Sequence, residues 1–232
     1  MRRVAIYAGT RRVYRDMMCA AKSLVKHTRM DAVYFLTEDD SFPWPLPEIV
    51  TLINAQKDTW AKYMETGPNV AALSHMSLLR LIVPEMLRQE IRALWLDVDT
   101  IVEKDIGPLF DLALGTNVVA MVEEPVRSKY PFRYYNAGVL LMNMEKLRET
   151  WLAAEMADRV KREAFTAAEQ DVLNLYCQAK TLTLGPEWNM AEHITQHHDD
   201  PYIRHFAGCL KPRGRAIFDA YEREEWSVKN AE

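Results

Sequence analysis

Asp97 and Asp99, set one residue apart around Val98, are the residues of this 232-residue sequence best placed to do chemistry. They follow Leu94-Trp95-Leu96, an apolar run that reads as a strand, and in an extended segment residues i and i+2 share a face. Two carboxylates on one face repel each other unless a cation sits between them. A hard divalent ion with oxygen ligands, manganese or magnesium, resolves that repulsion and keeps positions open for phosphate oxygens. A nucleotide diphosphate needs such neutralisation both to bind and to leave. With 14 aspartates in the chain, a D-x-D is expected about once by chance. The weight therefore falls on its position, because ligand sites in open α/β sheets collect at the carboxyl ends of strands.

The elements that must position this pair follow from the spacing of apolar residues. Short apolar runs alternate with longer amphipathic stretches, the pattern of an α/β fold with a largely parallel sheet. Strands are predicted over Val4–Tyr7, Val33–Leu36, Ile49–Ile53, Ala93–Leu96, Val118–Val122, Gly138–Met142, Leu182–Leu184 and Ile203–Phe206. Helical spacing marks Tyr14–His27, Ser74–Gln89 with a kink at Pro84, a helix after Asn143 carrying Leu147, Trp151, Ala154 and Val160, and Thr166–Lys180. Asn143 is a plausible cap for the third of these. Three prolines in Ser41–Pro47 require a loop, and Gln56–Asn69 shows no period and reads as a flap. The whole of residues 1–232 is expected to form one domain, without internal repeats.

Composition narrows the class. Hydrophobic residues make up 49% and charged residues 27%, as in an ordinary globular chain. A net charge of −4 offers no basic excess for coating nucleic acid. Cys19, Cys177 and Cys209 are odd in number and lack C-x-x-C spacing, which argues against a disulfide framework or structural zinc. No apolar run approaches the ~20 residues of a membrane span, and Arg2-Arg3-Val4-Ala5-Ile6-Tyr7 reads as a strand rather than a signal peptide. A cytoplasmic location is expected.

Four segments, in order, resemble glycosyltransferase family 8, the retaining group that includes glycogenin and lipopolysaccharide galactosyltransferases. Leu96-Asp97-Val98-Asp99-Thr100-Ile101-Val102 is similar to its metal-binding segment, and Tyr135-Asn136-Ala137-Gly138-Val139-Leu140-Leu141-Met142-Asn143 to its strand beside the donor sugar. Glu169-Gln170-Asp171-Val172-Leu173-Asn174 is similar to its helix carrying a glutamine under the anomeric carbon. His205-Phe206-Ala207-Gly208-Cys209-Leu210-Lys211-Pro212 is similar to its late metal and phosphate segment. The resemblance implies a GT-A type fold, with a Rossmann-like, nucleotide-binding mixed sheet flanked by helices. It implies transfer of a hexose, glucose or galactose, from a UDP-sugar to a carbohydrate or other hydroxyl acceptor.

Carried residue by residue, the resemblance makes Asp97, Asp99 and His205 the ligands of Mn2+, with Mg2+ the second choice. A histidine beside two carboxylates suits manganese better than magnesium. Gly208 would let backbone N–H groups approach a phosphate, and Lys211 would add a positive point charge. Asn136 can both donate to and accept from sugar hydroxyls, while Ala137 and Gly138 leave room for a ring. Arg80, seventeen positions before Asp97, takes the place of a sugar-side arginine. Ala8, Thr10 and Val98 join the implied nucleotide-sugar site, and Thr10 could hydrogen-bond the base. The family usually has an acidic residue where Thr10 stands, and its tryptophan after Lys211-Pro212 is here Arg213. The resemblance assigns catalysis to Gln170 and Asp99, with the leaving phosphate taking the acceptor's proton. Glu169 or Asp171 as a covalent nucleophile is the alternative.

Two other readings compete. A phosphatase of the haloacid dehalogenase kind also uses D-x-D, but after its first strand and with a later acidic pair, for which only Asp199-Asp200 is available. An inactive sugar-nucleotide-binding protein of the same fold would have no need to keep Asp97, Asp99, Gln170, His205 and Lys211 together.

Overall fold

In the computed structural model of the chain, residues 1–57, 75–125, 130–150, 153–163, 165, 167–192, 194–208 and 212–229 are described. The elements run β1 (Val4–Gly9), α1 (Tyr14–His27), β2 (Ala32–Thr37), β3 (Val50–Asn54), α2 (Leu79–Met86), β4 (Arg92–Leu96), β5 (Thr100–Val102) and α3 (Gly107–Phe110). They continue with β6 (Val119–Glu123), β7 (Tyr135–Asn143), α4 (Met144–Thr150), α5 (Ala153–Arg162), α6 (Ala168–Cys177), β8 (Thr181–Leu184), β9 (Met190–Ala191), β10 (Ile203–His205) and α7 (Pro212–Arg223).

Seven strands form one sheet in the order β3-β2-β1-β4-β7-β6-β8. Pairings are parallel except where β7 meets β4 and β6, so β7 alone among them is reversed. That reversal places the site. The sheet is otherwise parallel, so its carboxyl ends share one edge, and the amino end of β7 lies at that same edge. Leu96 pairs with Val139, and the Asp97 N–H donates to the Gly138 carbonyl at 2.8 Å.

Both faces of the sheet are covered, which is why its central strands are continuous apolar runs. Along β1, Val4 and Ile6 face the layer that includes α2, α4 and α6, while Ala5 and Tyr7 face α1 and α3. Alternation along the strand thus splits the core into two layers. A smaller sheet, β5-β10-β9, is built from the residues just after Asp99 and those leading to His205.

Strand and helix positions follow the apolar spacing closely, and α1 keeps the expected bounds. Of the helix predicted after Asn143, α4 and α5 are described, and Trp151 falls outside the described residues. Asn143 does cap it, its side-chain oxygen accepting the Lys146 N–H at 3.0 Å. Pro84 sits inside α2, and the turn that leads into it, His75–Leu78, is wound as a 3-10 helix. Most of the predicted flap lies outside the described residues. Helix α7 has no counterpart among the predicted elements. It docks on α1 by burying Phe218 against Met18 and Cys19, and Arg15 pairs with Asp219 and Glu222. The ammonium of Lys22 donates to the carbonyls of Tyr221, Glu222 and Glu224, where α7 ends.

Cys19 and Cys177 are buried free thiols, and burial pushes both up to about 12. Since the thiolate is the reactive form, neither should be labelled by a thiol-specific reagent at pH 8 until the protein is denatured. Mass mapping of the labelled peptides checks this. Among the described residues, no helix is long and apolar enough to cross a membrane.

Candidate active site

Strand β4 ends at Leu96, and Asp97-Val98-Asp99 forms a turn rather than the extended segment expected from sequence. Thr100 closes the turn, its N–H and hydroxyl both donating to the Asp97 carbonyl, at 3.2 and 2.7 Å. The turn still brings the two carboxylates together. Strand β10 pairs antiparallel with β5, His205 opposite Thr100, and this delivers the imidazole to the same point. One ligand atom from each of Asp97, Asp99 and His205 lies within 4.8 Å of the other two. His205 Nε2 is 3.2 Å from Asp99 Oδ1 and 3.9 Å from Asp97 Oδ2.

Each side chain is held from behind. Asp97 Oδ1 accepts from Arg80 Nη2 at 2.8 Å and from the Trp95 indole at 3.0 Å, so only Oδ2 faces His205. The His205 ring is 4% exposed, and its Nδ1 lies 2.9 Å from Asn189 Oδ1. Burial alone would strip its proton, but the charge of hydrogen-bonded Asp99, with Asp97 behind it, outweighs this and holds its pKa above the ordinary value. Asp99 moves the opposite way: burial pushes it up, and His205 pulls it below the ordinary carboxylate value. Two carboxylate oxygens and one imidazole nitrogen fit a divalent cation that prefers oxygen donors and accepts one nitrogen, as manganese does. Such a cation would replace the proton now shared between His205 and Asp99.

Arg80, Gly138 and, through the side chains behind His205, Asn136 lie beside this centre. Ala8 and Thr10 lie at the carboxyl end of β1, beside β4. Val98 lies on the other side of that strand end: a Cβ at Gly9 would stand 3.7 Å from Val98 Cγ1, and Val98 packs with the α1 layer while Ala8 packs with the opposite one. Arg80 is buried, and its guanidinium is fully engaged. Besides Asp97 it donates to the Ala137 carbonyl at 2.9 Å, lies 3.5 Å from Glu169 Oε1 and sits 5.1 Å over the Trp95 ring. Lysine supplies one point charge and none of this fork. Arg80→Leu leaves Asp97 and Glu169 uncompensated and should destabilise the fold by about 3 kcal/mol, read from the urea midpoint at neutral pH.

Gly138 takes a different role from the one the sequence suggested. A Cβ there would lie 2.1 Å from His205 Cε1, so its bareness makes room for the imidazole. Asn136 is also turned inward. Its oxygen accepts the Gly138 N–H at 2.9 Å and Asn189 Nδ2 at 2.8 Å, and its Nδ2 donates to Glu124 Oε2 at 2.9 Å. Among the described residues, its second amide hydrogen has no acceptor. Gly208 adopts φ +89°, so the turn itself requires glycine. Lys211 lies outside the described residues.

Helix α6 begins at Ala168 with φ +42°, a left-handed conformation that costs an alanine about 1 kcal/mol. Glu169 and Gln170 follow it directly. Gln170 Oε1 accepts the Ala137 N–H at 2.9 Å, and its Nε2 donates to Glu124 at 3.1 Å and to the Tyr134 hydroxyl at 3.2 Å. Glu169 is raised by burial against the pull of Arg80. Asp171 is 2% exposed and accepts from the Tyr134 hydroxyl at 2.5 Å and the Ala167 N–H at 3.1 Å.

Glu124, Tyr134 and Asn189 are absent from the sequence-derived set. Glu124 carried a usable signal, since it follows an apolar strand by two residues at the edge where sites collect. Asn189 carried none. Asp199 and Asp200 are 99% and 81% exposed at the side chain, pairing with His197 and Lys104, so the acidic pair a phosphatase needs is not at this centre.

Residues 9–214 match the family model described as Glycosyl transferase family 8. Glycosyltransferase GlyE of Streptococcus pneumoniae serotype 4 is 27% identical over 98% of this chain and 62% of its own. Lipopolysaccharide 1,2-glucosyltransferase of Escherichia coli K12 is 30% identical over 60% of this chain and 49% of its own. The chain thus spans less than two thirds of these curated relatives. Among solved structures, galactosyltransferase LgtC in complex with donor and acceptor sugar analogs superposes with a TM-score of 0.72 at 18% identity, covering 94% of this chain and 95% of that one. The crystal structure of GlyE gives 0.74 at 23% identity, over 97% of this chain and 61% of that one. The likeness shows the fold, a GT-A type mixed sheet flanked by helices.

Proposed function

The chain belongs to glycosyl transferase family 8, and from that premise we propose that it transfers a hexose, glucose or galactose, from a UDP-sugar to a hydroxyl acceptor with retention of anomeric configuration. The observation that supports this most is the meeting of Asp97, Asp99 and His205 at the sheet edge where Gln170 is fixed to the backbone of Ala137. Asp97, Asp99 and His205 would hold Mn2+, which when bound neutralises the diphosphate as it leaves.

The protein's own residues do the rest. Arg80 and Trp95 orient Asp97, leaving one oxygen for binding. Ala8, Thr10 and Val98 join the nucleotide-sugar site, where Thr10 can hydrogen-bond the base, and Lys211 shares the charge of the diphosphate. The bond from the anomeric carbon to the diphosphate breaks, and the acceptor oxygen bonds to that carbon on the same face. The acceptor's proton passes to the departing phosphate oxygen. Positive charge on the sugar in between is oxocarbenium-like, and Gln170 Oε1, with one lone pair on Ala137, can turn the other towards it. Asp171 is committed to Tyr134 and to the start of α6, which favours same-face attack over a covalent intermediate.

The test is incubation of the protein with manganese and UDP-glucose or UDP-galactose, following UDP release and the anomer of the sugar product by NMR. Release with an α product supports the reading. A β product, or a glycosyl adduct on Glu169 or Asp171 in mass spectrometry, defeats the same-face mechanism. Tight UDP binding without turnover on any donor or acceptor would favour the inactive binding protein.

A further inference from the structure

An unbroken line of hydrogen bonds, buried as far as Glu124, joins His205 to Gln170, and its polarity follows from two consecutive backbone N–H groups, which can only donate. The Gly138 N–H donates to Asn136 Oδ1, which fixes that amide. The group of Asn189 that meets Asn136 Oδ1 must then be its NH2, at 2.8 Å, so Asn189 Oδ1 faces His205 Nδ1 at 2.9 Å. An oxygen acceptor there requires the hydrogen on Nδ1, so Nε2, which faces Asp97 and Asp99, is the nitrogen free to exchange its proton for a cation. On the other side, Asn136 Nδ2 must face Glu124 Oε2, at 2.9 Å. The same Glu124 oxygen accepts Gln170 Nε2 at 3.1 Å, while the Ala137 N–H fixes Gln170 Oε1 at 2.9 Å.

We propose that Asn189 and Glu124 are positioning residues of the transfer site: Asn189 sets the His205 tautomer that can bind metal, and Glu124 sets the direction of the Gln170 amide. This rests on the reading of Asp97, Asp99 and His205 as metal ligands. Asn189 is fully buried and Glu124 is 1% exposed, and no step of the transfer needs either to touch substrate. A buried carboxylate is costly unless its hydrogen bonds are satisfied, and two amides converge on this one. Partners behind a metal-binding histidine commonly change metal affinity 10- to 100-fold when removed.

The experiment combines Mn2+ binding, read from the free-ion EPR signal, with long-range 15N–1H NMR of the Mg2+-loaded protein and with steady-state kinetics. Wild type should show His205 as the Nδ1–H tautomer. Asn189→Leu should weaken Mn2+ binding about 10- to 100-fold. Glu124→Leu should lower kcat with Mn2+ affinity changed less than about threefold, and Glu124→Gln should restore kcat. An Nε2–H tautomer in wild type, or equal Mn2+ affinity in wild type and Asn189→Leu, overturns the proposal. The wild-type spectrum decides even if a variant does not fold. Wild type that binds no Mn2+ would instead sink the metal-site reading beneath it.

Discussion

Asp99→Ala is expected to lower kcat/KM on the preferred UDP-sugar by on the order of a thousandfold or more, equivalent to about 4 kcal/mol of lost transition-state stabilisation. Asp97 cannot take over, because one of its oxygens is already held by Arg80 and Trp95. His205 would remain as a nitrogen donor with one carboxylate oxygen, too few fixed ligands to hold a divalent cation against water. Steady-state kinetics across a manganese titration checks this, and activity recovered at high manganese would show Asp99 to be dispensable.

The same variant carries a pH signature in the metal-free protein. Asp99 lies below its ordinary value of 3.8, so its contribution is present above that pH and fades as pH falls through its folded value. His205 lies above its ordinary value of 6.5, so its contribution is full below 6.5 and is lost as pH rises through its folded value. The pair therefore stabilises the fold between about 4 and 6.5. The Tm gap between wild type and Asp99→Ala should be widest near pH 5.5 and close towards pH 9.

Gly138→Ala should be as damaging for a different reason. Its Cβ would arrive 2.1 Å from His205 Cε1 and 2.7 Å from Nδ1, below any real contact distance. The ring is buried and tied to Asn189, so it cannot step aside without leaving the metal ligands. Overpacking of this kind costs about 1–3 kcal/mol, and Mn2+ binding should fall at least about a hundredfold, comparable to the upper end seen when the support of a ligand is removed. The urea midpoint and a Mn2+ titration measure the two effects separately. Unchanged Mn2+ affinity would mean that His205 is not held where the structure puts it.

How much of this could be read from the chain differs by element. β1, β2 and β4 are buried on both faces, so their apolar runs declare them directly. The D-x-D pair was legible because it follows such a run, although its turn geometry was not. The reversal of β7 left no mark, since a buried antiparallel strand between parallel neighbours is as apolar as they are. That reversal is what brings Gly138 beside Asp97, and without it Gly138 looks like room for a sugar. Helix α7 is hard to read because Gly214 in its first turn lowers its intrinsic propensity. Its support comes from Phe218 on α1 and from Arg15 and Lys22, nearly two hundred residues away in sequence. Asn189 is a single polar residue whose meaning exists only through two partners distant in the chain, so no local pattern announces it.

The most direct test of the central claim is thermal unfolding of the wild-type protein with UDP, manganese, both and neither. Both together, near a hundredfold over the dissociation constant, should stabilise the fold by about 2.7 kcal/mol, and either alone much less. Unfolding that is unchanged by manganese with UDP, and equally by manganese with the other nucleoside diphosphates, would contradict that claim.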